Sequence, residues 1–407
     1  MASARKDNRG YTLHSGEYQR KDGRYVYRYT DKEGKRHSVY AKTLPEIRQR
    51  EREINRDLED GINPRAAEKI TLNQLFDKYI SQKYDLRETT KANYIYMYNR
   101  FVRNGFGKRK IVDIRYSDVK AFYYDLLMNK TLKPNTLEGI QNTLHPSFQM
   151  AVRDEILRKN PTDGIMAEIK KSNMWERPNR RALTIPQQKA FVQFIREERK
   201  YKGWEPLLTI LLGTGMRIGE CLGLRWEDLD FEQRVITVSH TFTNRPTQDG
   251  CVRHISPTKT RAGVRTIPMI DEVFRAFLQE YEMQKCVGYQ SETIDGYTNF
   301  VFVTSTGAIV SHSTVNRVMR DIVKDYNEKE TALAKSEDRE PLLIPQISPH
   351  SLRHTFCTRF CENETNMKVI QSIMGHSDIA TTMDVYAEAT GEKKQEIMAN
   401  LQGKIII

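Results

Sequence analysis

Six residues in a fixed order are equipped to do chemistry in this chain: Arg217, Lys259, His350, Arg353, His376 and Tyr386. A guanidinium stays charged and can grip two oxygens of one phosphate. Histidine moves protons near neutral pH, and a phenol attacks once its proton is gone. The set is a cradle for a phosphate followed by a nucleophile, spread over about 170 residues. It points to covalent chemistry on a DNA backbone. Each member alone has a plainer reading. Arg217 with Glu220 is an ordinary helix-surface ion pair, Lys259 an ordinary surface lysine, and Tyr386 a packing residue. The combination carries the argument.

Local sequence says how each group would be held. Gly213-Thr214-Gly215-Met216-Arg217-Ile218-Gly219-Glu220 joins two helices, with Arg217 at the head of the second and Glu220 one turn on to orient it. Lys259 lies in a turn between strands, Thr258-Lys259-Thr260-Arg261-Ala262-Gly263-Val264-Arg265, placed to protonate a leaving oxygen. Ser348-Pro349 opens a helix that sets His350 and Arg353 one turn apart, and its free amides favour an anion. His350 and His354 also have the spacing of a metal pair. No Glu lies between them in a zinc-protease arrangement, so no metal is expected. Gly375-His376 ends another helix, ten residues before Tyr386.

The elements that position these groups form three domains in a multidomain, mainly α chain. Residues 1–64 read as a small three-stranded sheet plus a helix over 44–58. Asp22-Gly23 and Gly34 make its turns, and Tyr25, Tyr27 and Tyr29 share one face. Before residue 43, 11 lysines and arginines stand against 5 acids. Small sheets can enter a DNA groove, so Arg20, Lys21, Arg24 and Arg28 are candidate DNA contacts; a stabilising subdomain with a charged surface is the alternative. Residues 61–70 read as a linker. Residues 71–165 form an all-helical domain, opened by the capping box Thr71-Leu72-Asn73-Gln74. Residues 165–183, with Lys170, Lys171, Arg180 and Arg181, read as a basic extended connector suited to nucleic acid. Residues 182–407 form a mixed α/β domain with strands at 235–238 and 266–269 and a polar loop over 326–346. Asp249-Gly250 marks an extra hairpin within 241–256.

Composition agrees without deciding. The formal charge is +12, which favours a polyanionic partner but also fits a merely soluble basic protein. Cys221, Cys251, Cys286, Cys357 and Cys361 follow no framework spacing and suit a reducing, cytoplasmic setting. No signal core follows Met1 and no apolar run reaches the length of a membrane span. Ile405-Ile406-Ile407 reads as a small plug docked on this or a neighbouring subunit.

The six residues resemble the tyrosine recombinase (phage integrase) family, whose pattern runs Arg, Lys, His-x-x-Arg, His or Trp, Tyr. It falls on Arg217, Lys259, His350, Arg353, His376 and Tyr386, with the family's acidic partner at Glu220. The likeness covers 182–407. The helical domain resembles the family's core-site-binding domain. The sheet, with Arg20-Lys21-Asp22-Gly23-Arg24-Tyr25, resembles arm-site-binding domains of integrases from conjugative transposons. The resemblance implies a site-specific recombinase of a bacterial mobile element. Tyr386 would attack a scissile phosphate, leaving a 3′-phosphotyrosine and a free 5′-hydroxyl, with no cofactor. Arg217, Arg353 and His376 would stabilise the phosphate, Lys259 would protonate the leaving oxygen and His350 would assist as base. It further implies a homotetramer on two DNA duplexes, a Holliday junction, and a tail after 391 docked on an adjacent subunit. An excision factor or DNA-bending protein would be an accessory partner, and the bound protein would lie on the nucleoid. Two rivals remain. A type IB topoisomerase would use a similar pocket as a monomer, and a regulator would bind DNA without cutting it. The extra DNA-binding modules weigh against the first and the six matched positions against the second.

Overall fold

The computed structural model describes residues 5–387 apart from 32–33, 60–69, 87, 129–131, 173–174, 176–181, 248–249, 259–260, 289–290, 381 and 386. The linker, Arg180, Arg181, Asp249, Lys259, Tyr386 and the tail thus lie outside the described residues. The chain separates into two compact units, Met1–Pro178 and Asn179–Ile407.

In the first unit, β1 (Glu17–Gln19), β2 (Tyr25–Thr30) and β3 (Arg36–Ala41) make an antiparallel sheet in that order. Gly23 and Gly34 take positive φ at the two turns, a conformation that suits glycine. Tyr25, Tyr27 and Tyr29 cluster with Ile47 and Ile54 of helix α1 (Leu44–Glu59). The Tyr25 phenol donates to Asp7 at 2.6 Å and the Tyr27 phenol to Asn55 at 2.9 Å. On the opposite face Val26 lies between its cross-strand partners Tyr18 and Tyr40.

Helices α2 (Leu72–Ser81), α3 (Glu88–Phe101), α4 (Tyr116–Met128) and α5 (Pro134–Arg153) follow. Thr71 and Gln74 form the expected capping box. The apolar stripes meet in one core that includes Leu75, Phe76, Tyr98, Val119, Leu144 and Phe148, with the rings of Phe76 and Tyr98 stacked at 3.7 Å. The connector expected from residue 165 begins instead as helix α6 (Ile165–Lys171). Ile165 and Ile169 lie one turn apart and bury in that core, which outweighs the basic composition. Lys170 pairs with Glu138 and sits 5.5 Å from the centroid of Trp175, while Lys171 is exposed.

The second unit opens with α7 (Ile185–Glu197), α8 (Glu205–Thr214) and the short α9 (Ile218–Gly223). β4 (Leu229–Asp230), β5 (Val235–Val238) and β8 (Arg265–Pro268) form one antiparallel sheet. Between β5 and β8 the chain makes the extra hairpin, β6 (His240–Thr247) and β7 (Gly250–Pro257). Its base packs tightly on α9: a Cβ on Gly219 would meet Thr241 Oγ1 at 2.6 Å. Among the described residues the helices α10 (Asp271–Val287), α11 (His312–Ser336), α12 (Pro349–Asn363) and α13 (Met367–Met374) follow. The polar loop expected over 326–346 is helical as far as Ser336. Ile322, Tyr326, Glu330 and Ala334 recur every four residues and bury. Glu330 is tolerated there because Arg339 and the Leu342 N–H bind it at 2.6 and 2.8 Å. The stripe hides one carboxylate among polar neighbours, so composition alone conceals it.

Gly215 ends α8 at φ +63, and a Cβ there would lie 2.3 Å from Phe356 Cδ1. Gly215→Ala should therefore cost about 1–3 kcal/mol of stability in urea titration. Gly203→Ala meets nothing within 4 Å and has no positive φ, so it should shift stability by under about 0.5 kcal/mol. Equal effects at the two sites would contradict this packing.

Candidate active site

Arg217 caps α9 and Glu220 answers it from the third helical position. The Arg217 N–H donates to Glu220 Oε2 at 3.0 Å, and Nη1 donates to Oε1 at 2.6 Å. Nη2 donates to the Gly375 carbonyl at 3.0 Å. The guanidinium is thus fixed at both forks, yet its side chain stays 44% exposed. An anion can reach it.

Glu220 is buried, and its Oε2 also accepts from Arg265 Nη2 at 2.8 Å. Burial pushes its carboxyl pKa up, but the Arg265 hydrogen bond and the charges of Arg265 and Arg217 outweigh that and hold it below the usual range. The carboxylate is ionised and shared by two arginines.

Arg353 projects from α12 to Gly215 and Met374, donating from Nη1 and Nη2 to their carbonyls at 2.7 Å each. Both acceptors are helix C-terminal carbonyls, which carry partial negative charge. Burial first, and the nearby Arg217 charge second, pull its pKa down to about 10, so it remains a cation at neutral pH. His350, on the first turn of the same helix, is exposed. The Ser348–Ser351 capping box closes that helix start.

His376 follows Gly375, which ends α13 at φ +63. Its ring is buried, with Nδ1 2.9 Å from Thr382 Oγ1. Burial, then the charges of Arg353, Arg217, Arg265 and His350, lower its pKa to about 4. The imidazole is neutral at pH 7. The contact with Thr382 serves either neutral tautomer, the hydroxyl donating to a bare Nδ1 or accepting from Nδ1–H. Val385 packs on the cluster of Cys357, Cys361, Ile370 and Met374.

The structure therefore brings together Arg217, Glu220, Arg353 and His376, with His350 at the exposed rim of α12. Sequence reasoning assigned no role to Arg265 or Thr382. A signal for Arg265 existed. It starts β8 one residue earlier than expected and alternates inward with Ile267, so a cation was due to point into the core and needed an acidic partner. Thr382 left no comparable trace.

Of the candidate DNA contacts in the sheet, Arg28 lies 4.5 Å from the Tyr18 ring centroid and Arg20 lies 5.7 Å from that of Tyr40. Arg24 pairs with Asp22 at 2.8 Å, and Lys21 is exposed. Among the described residues, the group of three candidate metal ligands is His14, Glu17 and Glu51. Arg48 Nε and the His14 N–H already hold the two Glu17 oxygens at 3.3 and 2.7 Å.

Residues 181–393 match the model of the phage integrase family, and residues 1–58 match the DNA-binding domain of the Tn916 integrase. The chain is 34% identical to the transposase from transposon Tn916 of Enterococcus faecalis, covering 98% of this chain and 97% of that protein. It is 23% identical to the ICEBs1 integrase of Bacillus subtilis, over 89% and 90% of the two chains. A Tn1549 transposon integrase solved with transposon right-end DNA superposes with a TM-score of 0.70 at 32% identity, covering 82% of this chain and 100% of that one. The chain belongs to the phage integrase family, as the six residues led one to expect. It has the tyrosine recombinase fold and is a site-specific DNA recombinase of the conjugative-transposon type. No described helix is long and apolar enough to cross a membrane.

The depressed pKa of His376 sets a pH dependence. Its folded value, about 4, lies below the unfolded 6.5, so the unfolded state binds more protons between them. This contribution to stability is complete above pH 6.5 and is lost as pH falls toward 4. The urea midpoint should fall over that window, and His376→Gln should flatten the fall. An unchanged slope in the variant would contradict a buried neutral imidazole.

Proposed function

We propose that Arg217, Arg353 and His376 hold the scissile phosphate of a transposon-end DNA while Tyr386 attacks it. The observation that carries this reading is the preorganised cationic cluster with Arg217 half exposed at its mouth. A guanidinium has five N–H donors, so one anchored through two of them still has donors for a phosphate oxygen. Charge developing on the non-bridging oxygens meets groups already in place, and a neutral His376 in its Nε2–H tautomer adds a further donor. The phenol has an ordinary pKa near 10, and surrounding cations favour its ionised form. Attack on phosphorus forms the Tyr386–O–P bond and breaks the bond to the 5′-oxygen, which takes its proton from Lys259. His350, exposed at the helix start, assists the phenol as base. The 5′-hydroxyl of another strand then reverses the step, so the phosphodiester energy is conserved. Repeating it on four strands passes through a Holliday junction, with four subunits on two duplexes and the tail of residues 391–407 docked on a neighbour.

Division of labour follows the domains, 1–64, 71–165 and 182–407. The sheet face carrying Arg20, Lys21, Arg24 and Arg28 binds arm sites, with Arg20 and Arg28 already laid against tyrosine rings that keep them extended. The helical domain, with Lys170 and Lys171 at its end and Arg180 and Arg181 beyond, binds the core site. Such contacts displace counterions, so binding weakens steeply with salt. The closest rival, relaxation of one duplex by a monomer, leaves no use for two additional DNA-binding modules. An excision factor or bending protein would act beside the enzyme on the nucleoid.

A nicked suicide duplex carrying an attachment site tests the reading. The protein should form an SDS-resistant DNA adduct, and Tyr386→Phe should form none while binding the duplex normally. Arg217→Lys should cut the cleavage rate roughly 100- to 1,000-fold, the usual cost of a lost transition-state donor. An adduct in Tyr386→Phe would overturn the assignment of the nucleophile. Relaxation without joining of separate duplexes would favour the topoisomerase.

A further inference from the structure

Arg265 is a buried arginine that belongs to none of the six positions. Its guanidinium reaches three segments at once. Nη2 donates to Glu220 Oε2 at 2.8 Å, Nε to the Ile373 carbonyl at 2.7 Å and Nη1 to the Gly263 carbonyl at 3.1 Å. Its side chain is 3% exposed, so it does not face solvent or a ligand directly. Glu220 is the group that orients Arg217. Ile373 lies in the last turn of α13, just before the Gly375–His376 corner. The corner is shaped around this guanidinium: a Cβ on Gly375 would lie 2.9 Å from Arg265 Nη1 and 3.0 Å from the Ala262 carbonyl.

We propose that Arg265 is a positioning residue for strand cleavage, fixing Arg217 through Glu220 and His376 through the end of α13 with one planar fork. The inference rests on the phosphate-binding roles given above to Arg217 and His376. A lysine cannot replace the fork: its three N–H donors radiate from one nitrogen, whereas Glu220, Ile373 and Gly263 are met by three separate nitrogens of one planar group. Loss of the fork leaves Glu220 with Arg217 alone and frees the α13 corner to drift. A displacement of about 1 Å in a catalytic group can cost on the order of 100-fold in rate. A purely structural ion pair would instead lower stability and reduce every activity of the protein alike.

The two readings separate on the substrate. A methylphosphonate at the scissile position replaces one charged non-bridging oxygen by a neutral methyl, which removes the charge that Arg217 and His376 serve. Single-turnover adduct formation is measured on matched phosphate and methylphosphonate suicide duplexes, with the full chain. Arg265→Lys, which keeps the charge and loses the fork, should be roughly 10- to 100-fold slower than the unmodified protein on phosphate. On methylphosphonate that deficit should shrink to a few-fold. Arg265→Met should behave in the same way, and urea titration of both variants reports whether each is folded. Equal deficits on both substrates, or no deficit in a folded variant, would overturn the proposal. Tyr386→Phe runs alongside: if it forms adduct, the assignment of the nucleophile fails, whereas if it is inert and Arg265→Lys is as fast as the unmodified protein, only the role of Arg265 fails.

Discussion

The catalytic unit depends on one buried carboxylate shared by two arginines. Glu220 accepts from Arg217 and from Arg265, with Arg353 close enough to feel the charge of both. Three guanidinium groups in one small volume repel one another, and taking them out of water is costly. Glu220 neutralises part of that charge. It leaves a net positive pocket, which is what an incoming phosphate requires. The arrangement is not best understood as a source of stability, since buried ion pairs often only break even. In the proposed mechanism its value lies in having the donors placed before the anion arrives.

Helix ends supply the remaining negative partners. Gly215 and Gly375 each turn a helix off with a left-handed residue, and the carbonyls around those turns point into the cluster. Arg353 takes one from α8 and one from α13, while Arg217 takes one from the Gly375 corner. Two helix termini that would otherwise need water or a side-chain cap are satisfied by the same groups that we propose bind phosphate. Packing and chemistry are therefore coupled. Any motion of α13 relative to α8 alters the spacing of the arginines, and His376 rides on the same corner.

Much of this was legible from residue types and spacing. Gly213–Glu220 announced a tight helix–helix junction with its arginine at the cap, and Ser348-Pro349 announced the helix that carries Arg353. Periodicity also marked the tyrosine face of the sheet and the helical core. Three features were hidden for separate reasons. Arg265 sat in a run that reads as a turn, and its inward direction emerges only once β8 pairs with β5. Helix α11 runs through a polar stretch because its buried stripe contains a carboxylate whose partner, Arg339, lies beyond the helix. Helix α6 hides in a basic segment because two isoleucines one turn apart are too few to outweigh lysines in a composition count. Tertiary partners decide in each case, and spacing along the chain does not reveal them.

A double-mutant cycle between Glu220 and Arg265 tests the central claim most directly. Single-turnover cleavage rates are measured for the unmodified chain, Glu220→Gln, Arg265→Lys and the double variant. If both act by holding the same arginine cluster, the double variant will be little slower than the slower single variant, giving a coupling of about 1–3 kcal/mol. Deficits that multiply would contradict the account, because they would mean that the two groups support cleavage independently.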